Sequence, residues 1–513
     1  MFVLYLGLET NKYEDAIIYK RFGITGHVHN VVAKHANLSI EKLNKNEEYI
    51  KLKETYKELK ETLSDEEFKV QIKPTTHRMK ELVEEHGLTK NKLEKFAKKQ
   101  GKMFRKNLSS QQVQKEADRV YESVEDVLYG DGKKVHLKKY KDINTIGGKS
   151  PTNGVKLYSP FHKNYLNKKE LKEVKYETQI NWNGLVLKVK ADYSDPYVLE
   201  AMQHEVSYCE IARKMFMDGY HNYVIVYLKG DPPKKLKAGD LNVEIDPGVS
   251  TLAVYSEEKL MLEELAPKAK SYQARIKKLQ REIDNCKRAL NPQNYNPDGT
   301  VKKGRHKWEL SKTAKRKERE VTVLYRKEAA YRKDNRNYIA NRVIEIGINV
   351  RSEPMNWKAL QKRSKNTERE ETKTKVKRKD GSEIVVNKFK RKKRFGSSLR
   401  TRAPSALEVS LQRKCIQYGG TFSYIDTKTI KPSQRDHVSD EFVKNNARFK
   451  IINGVQVQRD LYAAYIGYCT KSDGKTFDKE KALLLFKNFV EMQDKLIHEM
   501  KAQGISMPQC FGF

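Results

Sequence analysis

The order of strand and helix patterns after Leu241 is the feature that most restricts how this chain can fold. Leu241 to Ser256 has the alternating pattern of a β-hairpin. Two long helical patterns follow within residues 268–347, and the first has a narrow coiled-coil seam on a charged surface. Residues 348–353 have a strand pattern, and further helices and one strand follow, ending with a helix at 478–502. This order predicts a mixed α/β domain at 241–513 with an inserted helical arm.

Three acidic residues of this half stand where predicted elements begin or end. Asp246 precedes Pro-Gly after the first strand, Glu353 ends the strand at 348–353, and Asp460 begins a helix. Singly, they would be a turn residue, an exposed strand end and a helix N-cap. Together they predict a site for two divalent ions, because hard cations prefer carboxylate oxygens and two such ions can clamp a scissile phosphate.

The N-terminal half has a different pattern. Its apolar opening segment predicts a strand, and residues from about 24 to 130 are mostly helical, rich in Lys, Glu and Leu. Strand patterns return at about 133–240, where Asn183-Gly184 marks a hairpin turn. We therefore expect residues 1–240 to form a small β-barrel, built from about 1–20 and 133–240, that carries the helical region as an insert.

The charge of the chain indicates a polyanionic partner. Its 103 Lys and Arg residues outnumber 67 Asp and Glu residues, which gives a net charge of +36. Counterion release from phosphate rewards many dispersed cations, so nucleic acid is the expected partner, although a basic surface without a polymer partner is the alternative. Residues 367–395 are extremely basic and form either a ribbon that touches nucleic acid or a solvated loop; the candidate contacts there are Lys390, Arg391, Lys392 and Lys393.

The cysteines and the N-terminus indicate a cytoplasmic location. Five scattered cysteines include no Cys-x-x-Cys pair, which argues for a reducing compartment and against a cysteine-based zinc site. The apolar opening segment has neither the basic flank of a signal peptide nor the length of a membrane span. We expect no membrane partner.

The three acidic stretches resemble the RuvC motifs of a known family. This family comprises TnpB, the transposon-encoded RNA-guided DNA endonucleases, and the related compact type V CRISPR effectors. Residues 243–253 resemble its first motif, 353–360 its second and 458–464 its third, with Asp246, Glu353 and Asp460 at the catalytic positions. Weaker similarities lie upstream, at residues 22–30, 107–114 and 227–233.

This resemblance implies a fold, cofactors and partners. It implies an RNase H-like RuvC nuclease domain at 241–513, and an N-terminal wedge β-barrel with a helical recognition insert. Two Mg²⁺ ions, which Mn²⁺ can replace, would bind the three acids. A guide RNA and a target double-stranded DNA would be the partners, in a bacterial or archaeal cell and close to the nucleoid. Ser110 and Gln114 would touch the flanking DNA motif, and Arg459 is a further candidate nucleic-acid contact.

The sequence departs from the family pattern in two places. Residues 429–457 occupy the position of the family's zinc ribbon but contain no cysteine, so we expect a metal-free loop and no structural zinc. Tyr462 replaces an Asn two positions after Asp460. A nuclease-inactive RNA-guided repressor and a guide-independent nuclease or transposase of the same fold are the alternative functions. The origin of the guide, in a transposon end or a CRISPR array, and the choice between monomer and dimer stay open.

Overall fold

The computed structural model describes two compact units, Met1–Pro233 and Lys234–Phe513. The described residues are 1–161, 177–361, 369–377, 383–389, 395–444 and 447–513. The predicted contacts at Lys390, Arg391, Lys392 and Lys393 lie outside these residues. Both units mix helices and strands, which agrees with the predicted α/β class.

The first unit has six described helices and seven strands. The helices are α1 Lys12–Asn44, α2 Glu47–Thr62, α3 Asp65–Glu85, α4 Lys90–Gly101, α5 Ser110–Tyr129 and α6 Pro196–Ala201. The strands are β1 Phe2–Glu9, β2 Thr145–Gly147, β3 Val155–Tyr158, β4 Gln179–Trp182, β5 Leu185–Lys190, β6 Val206–Met215 and β7 Tyr220–Leu228. All seven strands form one antiparallel sheet in the order β2-β6-β7-β1-β5-β4-β3.

Local sequence explains two features of this unit. The predicted hairpin turn joins β4 to β5, with positive φ angles of 47° at Asn183 and 80° at Gly184, as a tight two-residue turn requires. Helix α1 begins at Lys12, which is earlier than the predicted start near residue 24. Asn11 caps this helix, and the side chain of Glu14 accepts a hydrogen bond from the Asn11 amide in a capping box.

The second unit contains the remaining described elements. The helices are α7 Ala269–Leu290, α8 Lys312–Ile346, α9 Trp357–Gln361, α10 Gly396–Arg402, α11 Pro404–Tyr418, α12 Thr427–Ile430, α13 Arg459–Tyr468 and α14 Lys479–Ala502. The strands are β8 Asn242–Pro247, β9 Thr251–Tyr255, β10 Leu260–Glu264, β11 Asn349–Ser352, β12 Arg369–Lys377, β13 Glu383–Phe389, β14 Phe422–Tyr424, β15 Phe449–Ile452 and β16 Val455–Gln458.

A five-stranded mixed sheet is the centre of the second unit. Its order is β10-β9-β8-β11-β14, in which β8, β11 and β14 are parallel and β9 is antiparallel to β8 and β10. Val243 and Ile245 of β8 belong to a core shared with α8 and α11. Ala253 and Tyr255 of β9 belong to a second core shared with α13 and α14. Two apolar cores on opposite faces allow a sheet with buried strands to be covered by helices on both sides.

The predicted helical arm consists of α7 and α8, which pack against each other. Ile276, Leu279 and Ile283 are buried along the predicted seam of α7. Ion pairs such as Lys317 Nζ to Glu282 Oε2, at 2.9 Å, flank this seam. Among the described residues, no helix is both long enough and apolar enough to span a bilayer.

Candidate active site

The register of β8 and β11 places Asp246 and Glu353 at the same edge of the central sheet. These parallel strands are neighbours, and Ile245 pairs with Ser352. The residues that follow this pair are Asp246, near the end of β8, and Glu353, directly after β11, so their backbones are adjacent. Each side chain is half-buried. Because equivalent positions of adjacent parallel strands face the same side, the two carboxylates share one face of the sheet.

Helix α13 places Asp460 on this face. Gln458 caps the helix, since its side chain accepts a hydrogen bond of 2.8 Å from the Leu461 amide. Asp460 is therefore in the first turn and is not the N-cap. A Cβ atom at Gly467 would lie 2.8 Å from Oε1 of Glu244, so the glycine allows α13 to approach β8 closely.

The three predicted catalytic acids interact electrostatically. Burial raises the pKa of Asp246 well above its ordinary value, and repulsion from Glu353 and Asp460 raises it further, while Arg459 opposes the shift. Burial, with repulsion from Glu244 and Asp460, raises the pKa of Glu353 to about 8. Mutual repulsion of this kind is felt only by carboxyl groups that lie close together. Residues distant in the chain therefore form one acidic cluster.

Cations balance only part of this cluster. Arg459 donates to Oδ1 of Asp460 from Nε at 3.0 Å and from Nη2 at 2.8 Å, and Arg448 Nη1 lies 3.6 Å from Oδ2. None of the described residues forms an ion pair with Asp246 or Glu353. Oε1 of Glu353 is buried and has no hydrogen-bond partner within the described part of the chain. The carboxyl groups of Asp246 and Glu353, at the strand ends, therefore have oxygen atoms that no described cation pairs with.

The donor set fits a hard divalent cation in its chemistry. All three side chains offer carboxylate oxygens, which suit Mg²⁺ and Mn²⁺, and their mutual repulsion would be relieved by a bound cation. As the side chains stand, however, no three His, Cys, Asp or Glu residues of the described chain converge on a single ion position. The contact between Arg459 and Asp460 gives a physical reason, because it directs one carboxylate toward a guanidinium.

A buried ion pair next to the cluster was not predicted from the sequence. Glu244 is 1% exposed, and its Oε2 accepts a hydrogen bond of 2.7 Å from Nε of Arg351. Nη2 of Arg351 donates to the Gly467 carbonyl at 2.6 Å, and Nη1 donates to the Lys471 carbonyl at 3.0 Å. Burial raises the pKa of Glu244 to about 7, although Arg351 opposes this shift. The pair joins β8, β11 and α13, the elements that position the acids.

The spacing of the two strand motifs could have indicated this pair. Glu244 stands two residues before Asp246, and Arg351 stands two residues before Glu353. Since side chains of a strand alternate between faces, residues two apart share a face. Each strand therefore presents a supporting residue and a cluster carboxylate on the same side of the sheet.

The segment at the predicted zinc-ribbon position is held by side chains. His437 is fully buried, and its Nδ1 lies 2.8 Å from Oη of Tyr462, which also accepts a hydrogen bond of 3.2 Å from the His437 amide. The guanidinium of Arg435 lies over Phe442 and Phe477, at 4.7 and 4.5 Å from the ring centroids. Tyr462 thus belongs to an aromatic core that holds this segment.

The remaining predicted nucleic-acid contacts lie in different places. Ser110 and Gln114 are in the first turns of α5; Ser110 is exposed and Gln114 is half-buried. Arg459 is 22% exposed, and its guanidinium contacts Asp460. Ser110 and Gln114 are one turn apart on α5, whereas Arg459 belongs to the other unit, and contact of all three with nucleic acid stays a prediction.

Comparisons with known proteins found similarity among solved structures. No protein-family model matches the chain, and no curated protein matches it. Among solved structures, the chain is similar to one in a cryo-EM structure of a CRISPR-Cas12f ternary complex. The two are 13% identical, the match covers 88% of this chain and 81% of that chain, and the TM-score is 0.24. At this TM-score the superposition is loose, so we base the function on the side chains and motifs of this chain.

Proposed function

We propose that this protein is an RNA-guided DNA endonuclease and that Asp246, Glu353 and Asp460 form its hydrolytic site. The observation that carries the proposal is the register of β8 and β11, which places Asp246 and Glu353 side by side at one edge of the central sheet, where both also feel the charge of Asp460. They come from two strands and a helix that are far apart in the chain. A purely structural role would not favour Asp246 and Glu353, whose pKa values are raised by burial and by repulsion from neighbouring carboxyl groups, because this repulsion destabilises the folded protein.

The topology of the central sheet supports a RuvC-type domain. Numbered within the sheet, the order β10-β9-β8-β11-β14 is 3-2-1-4-5, and only the second strand runs opposite to the others. This is the order expected of an RNase H-like fold, in which acids from the first strand, the fourth strand and a later helix meet. Asp246, Glu353 and Asp460 have these origins.

The residues of the proposed site would have different roles in phosphodiester hydrolysis. Bound at the cluster, two Mg²⁺ ions, or Mn²⁺ in their place, would activate the attacking water and stabilise the leaving oxygen of the phosphodiester. Asp246 and Glu353, which lack cationic partners among the described residues, would hold the metals. The ion pair of Glu244 with Arg351 keeps β8, β11 and α13 in register. Arg459 and Arg448 supply positive charge beside Asp460, where a DNA phosphate would approach.

Guidance by RNA is supported by sequence. The three RuvC-like motifs and the weaker upstream similarities follow the pattern of TnpB and compact type V effectors. The net charge of +36 suits a protein that binds two nucleic acids at once. Base pairing of the guide would supply target specificity, and the protein would read the flanking DNA motif.

Single substitutions of the cluster acids test this proposal. We expect Asp246→Ala, Glu353→Ala and Asp460→Ala each to abolish cleavage of target DNA in Mg²⁺, in complexes purified with their cellular RNA. Binding of guide and target should stay nearly unchanged. Glu258→Ala, which removes an exposed acid from the turn between β9 and β10, is the matched control and should cut normally. Undiminished cleavage by Asp246→Ala would reject the site.

A nuclease-inactive, RNA-guided DNA-binding repressor is the second candidate. The contact of Arg459 with Asp460 favours it, because a guanidinium already neutralises one cluster acid. Incubation of the purified complex with target DNA across Mg²⁺, Mn²⁺ and Co²⁺ separates the two functions. Specific binding without nicking in any metal would establish the repressor. Cleavage that survives complete removal of RNA would instead show that the nuclease needs no guide.

A further inference from the structure

A cavity of about 690 Å³ lies between α2, α3 and the C-terminal end of α5. This volume is within the range of roughly 300–1,000 Å³ that is typical of sites for small ligands. Met79, Val83 and Leu128 give it an apolar wall. All of its lining residues belong to the first unit, so it is separate from the acidic cluster described above.

Three tyrosine rings line this cavity. Tyr49 is 1% exposed, and its hydroxyl is buried without a hydrogen-bond partner among the described residues. The ring of Tyr56 packs edge-on against Phe68, with the centroids 5.6 Å apart, which fixes the orientation of its faces. Tyr129, the last residue of α5, is 62% exposed, so most of its ring surface is accessible to a ligand. Tyr56 and Tyr129 thus give the cavity stacking surfaces, and the buried ring of Tyr49 forms part of its wall.

The charged residues of the wall are predominantly basic. They are Lys53, Lys57, Lys60 and Lys80, with Glu61 as the acidic member. The ammonium of Lys53 lies 4.6 Å from the ring centroid of Tyr49. Burial, with repulsion from Lys57, lowers the pKa of Lys53. Within the described residues, no carboxylate forms an ion pair with Lys57, Lys60 or Lys80. The positive charge at the rim is therefore available to an anion.

We propose that this cavity binds one nucleotide, with the base among the tyrosine rings and the phosphate at the lysines. An aromatic ligand without charge would leave the four lysines without an anion, and inorganic phosphate would leave the rings without a stacking partner. A nucleotide uses both, because every base has a π-face and its phosphate attracts ammonium groups. The nucleotide comes either from a single-stranded stretch of RNA or from a free mononucleotide, and the experiment below distinguishes these sources.

Photocrosslinking tests the proposal on the full-length protein after high salt has removed bound RNA. One arm uses free 4-thiouridine monophosphate, and the other uses a short single-stranded RNA with one 4-thiouridine. Mass spectrometry then locates the crosslinked peptide. We expect crosslinks in α2 or at the end of α5. Tyr56→Ala should weaken binding of the responsive probe at least fivefold, which corresponds to the lower end of base–aromatic stacking energies. Tyr56→Phe, which keeps the ring, should bind like the unmodified protein.

Charge substitutions give an independent measurement. Lys57→Ala should weaken binding and should lower the slope of log affinity against log salt by about one. Lys51→Ala removes an exposed lysine of the same helix outside the cavity and should change neither quantity. Crosslinking by the RNA alone identifies the polymer as the source, and crosslinking by both probes identifies the mononucleotide. Crosslinks confined to other elements, or equal binding by Tyr56→Ala and Lys51→Ala, would overturn the proposal.

Neither result depends on catalysis. If Asp246→Ala retained cleavage, the proposed hydrolytic site would fail while the crosslinks at α2 could still be observed. If crosslinks at α2 and α5 were absent, the nucleotide site would fail while the loss of cleavage in Asp246→Ala could still be observed. The two proposals are therefore tested separately.

Discussion

Replacement of Arg351 by Met should strongly destabilise the second unit. The substitution keeps the bulk of the side chain but removes the cationic partner of Glu244, a carboxyl that is 1% exposed. It also leaves the carbonyls of Gly467 and Lys471 without their hydrogen bonds from the guanidinium. In alkaline solution, well above the pKa of about 7 to which burial raises Glu244, removal of one partner of a buried ion pair costs about 3–5 kcal/mol, chiefly because the remaining charge stays buried and unpaired.

Hydrogen exchange measures this cost where it arises. The free energy of opening can be read from peptides that span β8 and β11 in the full-length protein, for Arg351→Met and for the unmodified chain. We expect a loss of about 3–5 kcal/mol in these peptides. In a thermal scan, the same loss corresponds to roughly 6–20 °C at about 2–4 °C per kcal/mol.

A double substitution supplies the decisive control. Glu244→Met combined with Arg351→Met removes both charges, so most of the stability lost in Arg351→Met should return. A loss below about 1 kcal/mol for Arg351→Met alone would refute the reasoning. So would a double variant that is less stable than the single one, since it would show that the pair itself, and not the orphaned carboxylate, determines the stability.

Three further predictions concern packing and pH. Tyr462→Phe should make the segment around the fully buried His437 more sensitive to limited proteolysis, because a buried donor left unsatisfied costs about 1–3 kcal/mol. Gly467→Ala should lower the melting temperature of the second unit, since the new Cβ would lie 2.8 Å from a buried carboxyl oxygen of β8; an unchanged value would contradict the close approach. Burial raises the pKa of Glu116, but His29 and nearby cations outweigh this effect and hold it below its ordinary value of 4.5. The first unit, which contains Glu116, should therefore lose stability as the pH falls below 4.5, and Glu116→Gln should show a shallower loss in acid denaturation.

Local sequence patterns predicted much of the fold. The helix boundaries that they did not predict depend on single capping and turn residues. The turn at Asn183-Gly184 follows from residues that tolerate positive φ. Helix α11 begins at Pro404, directly after Ala403, whose φ of 51° ends the preceding helix, and an apolar pattern does not indicate this boundary. The early start of α1 depends on the cap at Asn11, a short signal that the apolar pattern does not contain. Helix existence is therefore easier to predict than helix boundaries.

The candidate site could be predicted only in part, because some of its contacts join residues that are far apart in the sequence. Asp246, Glu353 and Asp460 each stand at the end or the beginning of an element, so the sequence could indicate them together. The ion pair of Glu244 with Arg351 depends on which strand lies beside β8 and in which register. No local sequence pattern contains this information. Such a pattern also does not reveal that the Arg459 side chain contacts Asp460, the next residue in the chain.

The aromatic brace around His437 and Tyr462 has a consequence for how the protein matures. A zinc ribbon acquires its shape only after it has captured an ion, so its folding depends on metal supply. In this protein the side chains that hold the segment, including His437 and Tyr462, can form their contacts as soon as the surrounding core folds. Newly made protein should complete this segment at the same speed in zinc-starved and zinc-replete cells, and a strong zinc chelator should leave it folded.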